Sequence, residues 1–178
     1  MKKLLIALLS AALLLSLSAG CSGNGKPVEE KDVPLDDILQ SVRDAFGEDY
    51  LPNTEIPQDM LEAEFGLSAD MYEGVRTEMP MIGAHPDRVV IVKAAPGKAD
   101  NVEAALNEAR RAKIENELTY PMNIAKTDAA RVERHGSYVA FLLVGASDER
   151  MDADDAERAA FAREQAQKAA DTFLANFE

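Results

Sequence analysis

Cysteine occurs once in these 178 residues, at Cys21, and histidine twice, at His85 and His135. A single cysteine excludes an internal disulfide, so the folded part must stand on its own core. Basic residues are also scarce: 19 Lys and Arg face 32 Asp and Glu, a formal net charge of −13. Nucleic-acid binding normally begins with a basic footprint, and this charge repels phosphate backbones and anionic headgroups alike. Nucleic acid is therefore excluded as a partner. Motifs with a mechanism are missing too. No G-x-S-x-G elbow or HExxH helix occurs, and Gly97-Lys98 lacks both the preceding glycine and the following Ser/Thr of a P-loop. No cofactor is implied, and no internal repeat is present.

The strongest signal present is at the N-terminus. Lys2 and Lys3 precede an apolar and small-residue run from Leu4 to Gly20, which closes on Leu17-Ser18-Ala19-Gly20-Cys21. A charged n-region, a short h-region and a small-residue cleavage site make a signal peptide over residues 1–20. The run resembles a bacterial lipoprotein signal, in which diacylglyceryl joins the cysteine sulfur and cleavage leaves Cys21 as the new N-terminus. It departs from the strongest form of that pattern in having Ser18, not leucine, three before the cysteine. A spanning helix needs about 20 predominantly apolar residues, and Leu4 to Ala19 is too short, with no basic stop beyond it. Plain secretion would leave an odd, unpaired thiol. Each buried lipid CH₂ is worth about 0.8 kcal/mol, and one chain alone binds a membrane only marginally; two or three chains on Cys21 make the attachment durable. Cleavage would remove Lys2 and Lys3, lowering the basic count to 17 against 32 acidic residues and the net charge to −15. The expected location is the extracytoplasmic face of the cell membrane, with the membrane itself as one partner through the lipid on Cys21.

Residues 21–34 (from Ser22, SGNGKPVEEKDVP) read as a flexible polar tether. Residues 35–178 suit one domain with one core. Leu35, Ile38, Leu39, Val42 and Phe46 fall at helical spacing, and Gly47 can stop that helix. Short helical turns follow at 58–65 and 68–72, with Ser68 placed to cap. Val75, Thr77 and Met79 alternate with Arg76 and Glu78 up to Pro80, the pattern of an edge strand. Arg88 to Lys93 is an apolar run typical of a strand covered on both faces. After Gly97 comes a helix with the stripe Val102, Ala105, Leu106, Ala109, Ile114 and Leu118. A polar strand over 129–134 turns at His135-Gly136 into the apolar strand 138–145. A last amphipathic helix runs from about Asp154 to Phe177, with Asp152, Asp154 and Asp155 at its dipole-favoured start.

These elements predict an α+β fold: a four-stranded antiparallel sheet with the apolar strands central and helices packed on one face. Strand 88–94, helix, 129–134, 138–145 and helix make most of a ferredoxin-like βαββα unit. The missing strand is supplied from upstream by 74–79, hairpinned to 88–94, a permuted arrangement.

Candidate chemistry is sparse. His85 and His135 both stand beside turn residues, and neither has a partner at i+3 or i+4, so they read as solvated turn groups and no metal is expected. Asp148, Glu149, Asp152, Asp154 and Asp155 lack the glycine and distal glutamate of an EF-hand loop and read as helix capping. Ser137 beside His135 reads as a turn hydroxyl and not a nucleophile. Tyr120 and Tyr138 offer aromatic surface or, more commonly, a buried ring with its hydroxyl at the rim.

The order of several short motifs carries a resemblance. Phe65-Gly66-Leu67, Met79-Pro80-Met81, Lys93-Ala94, Gly97-Lys98, Tyr120-Pro121 and His135-Gly136-Ser137-Tyr138-Val139 follow the early acidic helix. In this the chain resembles the bacterial lipoproteins that carry the domain of unknown function 4358. The resemblance implies a small envelope lipoprotein domain and no catalytic residues to carry over. The favoured reading is a non-enzymatic binding or accessory module of the cell envelope, with an envelope protein or small ligand as partner. The alternative is an envelope hydrolase built from scattered carboxylates and His85/His135. A cleft holding both histidines would favour the second.

Overall fold

The two apolar segments form the centre of a four-stranded antiparallel sheet. In the computed structural model, which describes residues 31–116 and 119–178, β1 (Tyr72–Glu78), β2 (Arg88–Ala94), β3 (Arg131–His135) and β4 (Tyr138–Leu143) lie in the order β1-β2-β4-β3. All three pairings are antiparallel. This is the strand order that the permuted arrangement requires, with 72–78 hairpinned to 88–94 and the polar strands at the edges.

Helix placement departs from the expectation. Helices α1 (Leu35–Phe46), α2 (Gln58–Phe65), α3 (Ala99–Ile114), α4 (Ile124–Asp128) and α5 (Asp155–Ala175) cover both faces of the sheet, not one. The register explains why. Val90 and Val92 pair with Phe141 and Val139, and this set packs with Leu61 and Phe65 of α2 and with Val102 and Leu106 of α3. The alternate residues Val89, Ile91, Ala140 and Leu142 pack with Ile38, Val42 and Phe46 of α1 and with Ala169 and Phe173 of α5. Successive strand residues point to opposite faces, and here both sets are apolar, so each face must be covered. The second helix of the βαββα unit therefore crosses to the side opposite α3.

Local chemistry sets the ends. Asp154 caps α5: its side chain accepts the Glu157 N–H at 2.9 Å, and the Glu157 carboxylate accepts the Asp154 N–H at 2.9 Å, a capping box. Ser68 does not cap its 3₁₀ turn (Ala69–Met71); its hydroxyl donates to Asp70 instead. Helix α3 ends at Ile114, four residues before the expected end of its stripe, and Leu118 lies outside the described residues. A 3₁₀ turn at Pro121–Asn123 and the short α4 fill a stretch that the sequence reading left without an element.

The end of the expected tether is docked. Val33 is buried, its N–H donates to Tyr138 Oη at 3.0 Å, and Tyr138 Oη donates to Asp32 Oδ1 at 2.7 Å. Lys93 Nζ completes the clasp with an ion pair to Asp32 at 2.7 Å, and Lys31 Nζ donates to the Asn176 carbonyl at 2.9 Å. The chain thus enters the domain at the end of the sheet where Lys93 pairs with Tyr138.

Candidate functional site

At the opposite end of the sheet, β2 begins at Arg88 and β4 finishes at Leu143. Three connections converge there: residues 79–87 between β1 and β2, residues 119–128 before β3, and residues 144–154 before α5. A buried ion pair lies at their base. Asp87 is fully buried, and Lys126 Nζ sits 2.5 Å from its Oδ1. That ammonium also donates to the Gly145 carbonyl at 2.6 Å. One residue from each connection is thereby tied at a single point. Lys126 is the close partner of this buried carboxylate. Burial pushes the Asp87 carboxyl above its ordinary value, outweighing the downward pull of Lys126.

His85 borders this pair. Its Nδ1 accepts the Asp87 N–H at 3.3 Å, which places the proton of the neutral ring on Nε2. Burial holds the imidazole pKa below its ordinary value, against the opposing pull of Asp87. Arg88 donates from Nη1 to the carbonyls of His85 and Asp87, both at 2.8 Å, and from Nε to Glu64 Oε1 at 3.1 Å.

The walls around this base are apolar and open. A cleft of about 830 Å³ is bounded by Leu51, Pro80, Met81, Ile82 and Met122, with Asp148 and Arg158 at its edge. Met81 is 78% exposed, Ile82 74% and Met122 83%. Single exposed apolar side chains are ordinary, whereas a contiguous group beside a cleft marks a contact surface. Methionine suits such a surface because its unbranched, polarizable side chain repacks readily. A second cleft of about 390 Å³ adjoins it, between Met122, Ile124 and Lys126 on one side and Arg158 and Phe161 on the other.

The residues singled out in the sequence are scattered. Cys21 lies outside the described residues. His135 stacks on Phe177 at 4.4 Å and pairs with Tyr138, at the end of the sheet where the chain enters. His85 lies beyond Arg88 at the other end. The intervening strand, six residues from Arg88 to Lys93, spans about 17 Å, so the two histidines do not share a site. His85 and Asp148 do border the same cleft. Arg150 holds the Asp148 carboxyl down to about 2. Among the described residues no group of three or more His, Cys, Asp or Glu is placed to hold a metal ion. No described helix is long and apolar enough to cross a membrane. Tyr120 is exposed, whereas Tyr138 is buried, with its hydroxyl bonded to Val33 and Asp32. Sequence reasoning missed Asp87, Arg88 and Lys126, since no local pattern marks a charge destined for burial.

The molecule is an α+β domain with a sheet covered on both faces and a cleft-bearing end built from three connections. The family described as a domain of unknown function (DUF4358) matches residues 47–144, more than half of the chain, and the chain belongs to that family. The matched stretch contains the whole sheet and most of the residues at the base of the clefts. No curated protein and no solved structure matches the chain.

Proposed function

We propose that this protein is a lipoprotein held at the extracytoplasmic face of the cell membrane through Cys21, where its domain serves as a non-enzymatic binding or accessory module. The observation that carries the binding role is the open cleft bounded by Met81, Ile82, Met122 and Leu51. It lies at the end of the sheet opposite the point where the chain enters from Cys21. Nine residues lie between Cys21 and Lys31, at most about 36 Å of extended chain, which bounds how far the domain can stand from the anchored cysteine. Support for the anchor comes from the lipobox-like run 17–21 and from the lack of any second cysteine. The hydrolase alternative loses its proposed centre, because His85 and His135 stand at opposite ends of β2. Fractionation tests the anchor. The wild-type protein should begin at Cys21, and Cys21→Ala should release the protein from membranes or leave it as unprocessed precursor; a wild-type N-terminus still at Met1, or a processed Cys21→Ala protein retained on membranes as before, would overturn the proposal.

A further inference from the structure

A third cleft at the same end has a different character. It measures about 250 Å³ and is bordered by His85, Arg88, Lys113, Asn123 and Thr127, with Leu143 as an apolar floor. Among the described residues, no Asp or Glu borders it. Arg88 and Lys113 converge on one carboxylate oxygen behind it, Glu64 Oε1. Two cations facing a single carboxylate leave one positive charge in excess, in a setting where both side chains are largely withdrawn from water. Burial in a low-dielectric setting strengthens the attraction of such a charge for an anion.

The unused donors point the same way. Arg88 Nη2 has only a 3.5 Å contact with the Gly83 carbonyl, too long for a good hydrogen bond. Lys113 carries three donors, of which Glu64 takes one. His85 presents its Nε2–H, because Nδ1 is occupied as an acceptor. Thr127 Oγ1 is buried and has no hydrogen-bond partner among the described residues, although buried hydroxyls are nearly always satisfied. Ammonium, guanidinium, imidazole N–H and an orphan hydroxyl border one small cleft. Their shared complement is a compact oxyanion.

We propose that this cleft binds the carboxylate or phosphoryl group of a small ligand, with Lys113 and Arg88 supplying charge and Thr127 and His85 supplying directed hydrogen bonds. The inference deepens the binding-module reading of this end of the molecule and rests on it. Its test is calorimetric titration of the full-length protein, purified from membranes in non-ionic detergent, with sodium phosphate and separately with sodium succinate. The expected result is one-to-one binding of at least one of them with a Kd of about 1 mM or tighter. A preference for phosphate marks a phosphoryl ligand, and a preference for succinate a carboxylate ligand. Lys113→Gln should weaken binding at least tenfold. Thr127→Val removes a hydroxyl without a partner, so it should leave thermal stability unchanged or raised while weakening binding severalfold. The site is overturned if neither anion binds by about 20 mM, or if both variants bind as tightly as the wild type. Either failure would leave the anchor standing, since membrane fractionation of Cys21→Ala decides that separately.

Discussion

Removing the Lys126 ammonium should expose how the three cleft-forming connections are held. At 2.5 Å and an effective dielectric of about 20, its attraction to Asp87 is on the order of 6–7 kcal/mol. Desolvation opposes this by several kcal/mol per ion, so the pair's net contribution is small. Breaking it is another matter. Lys126→Met leaves a fully buried carboxylate without its cation and the Gly145 carbonyl without its donor, and should cost about 3–5 kcal/mol. Few domains of this size exceed 5–15 kcal/mol of total stability. Asp87→Asn with Lys126→Met should recover at least about 2 kcal/mol over the sum of the single effects. The dependence on pH has a fixed sign. The folded protein holds the Asp87 carboxyl above its ordinary 3.8, so this group's contribution is fullest below that value and is lost as pH rises through the folded pKa. Lys126→Met raises that pKa further, so its destabilisation should be milder at pH 5 than at pH 8. Urea unfolding of all four proteins at both pH values measures these quantities. Additive single effects, or a Lys126→Met loss that is the same at both pH values, would refute the reasoning.

Three further outcomes follow from the packing. Phe141 is fully buried and meets the Phe65 ring edge-on at 5.2 Å, so Phe141→Ala should cost about 3–5 kcal/mol in urea unfolding; a loss under about 1 kcal/mol would show that its facing is wrong. Gly145 has φ +113°, and a Cβ there would lie 2.7 Å from Phe46 Cε1. Gly145→Ala should therefore destabilise by about 2 kcal/mol or more, and a neutral result would mean that the turn after β4 has room to shift. Tyr138→Phe deprives the Val33 N–H of its acceptor and Asp32 of a donor. It should cost about 1–2 kcal/mol and speed hydrogen exchange at Val33, which an unchanged exchange rate would contradict.

The sheet was legible because its pattern is unambiguous. Seven consecutive apolar residues at 138–144 and the run at 88–93 could only be central strands, and the alternation at 75–79 marked an edge. The facing of the helices was not read correctly, although the apolar run at 88–93 already required cover on both sides. The alanine-rich stripe of α5, Ala162, Ala166 and Ala169, gives a helix little to identify its partner by sequence. The helix at 124–128 is too short for periodicity to reveal it, and its best local sign was Pro121 at the start of the preceding 3₁₀ turn. Residues 31–34 read as linker because their anchors, Tyr138, Lys93 and the end of α5, lie more than sixty residues away. The buried charges are the clearest case. Asp87 and Lys126 look like surface residues until β2, α4 and the turn at Gly145 meet in space.

We propose that Cys21 carries the lipid that holds this domain to the membrane. Mass spectrometry of the N-terminal peptide of membrane-extracted protein tests it most directly. The expected peptide begins at Cys21, lacks residues 1–20 and carries diacylglyceryl on the sulfur, with or without a further acyl chain on the new amino group. A peptide that begins at Met1, or one that begins at Cys21 with an unmodified thiol, would contradict the claim.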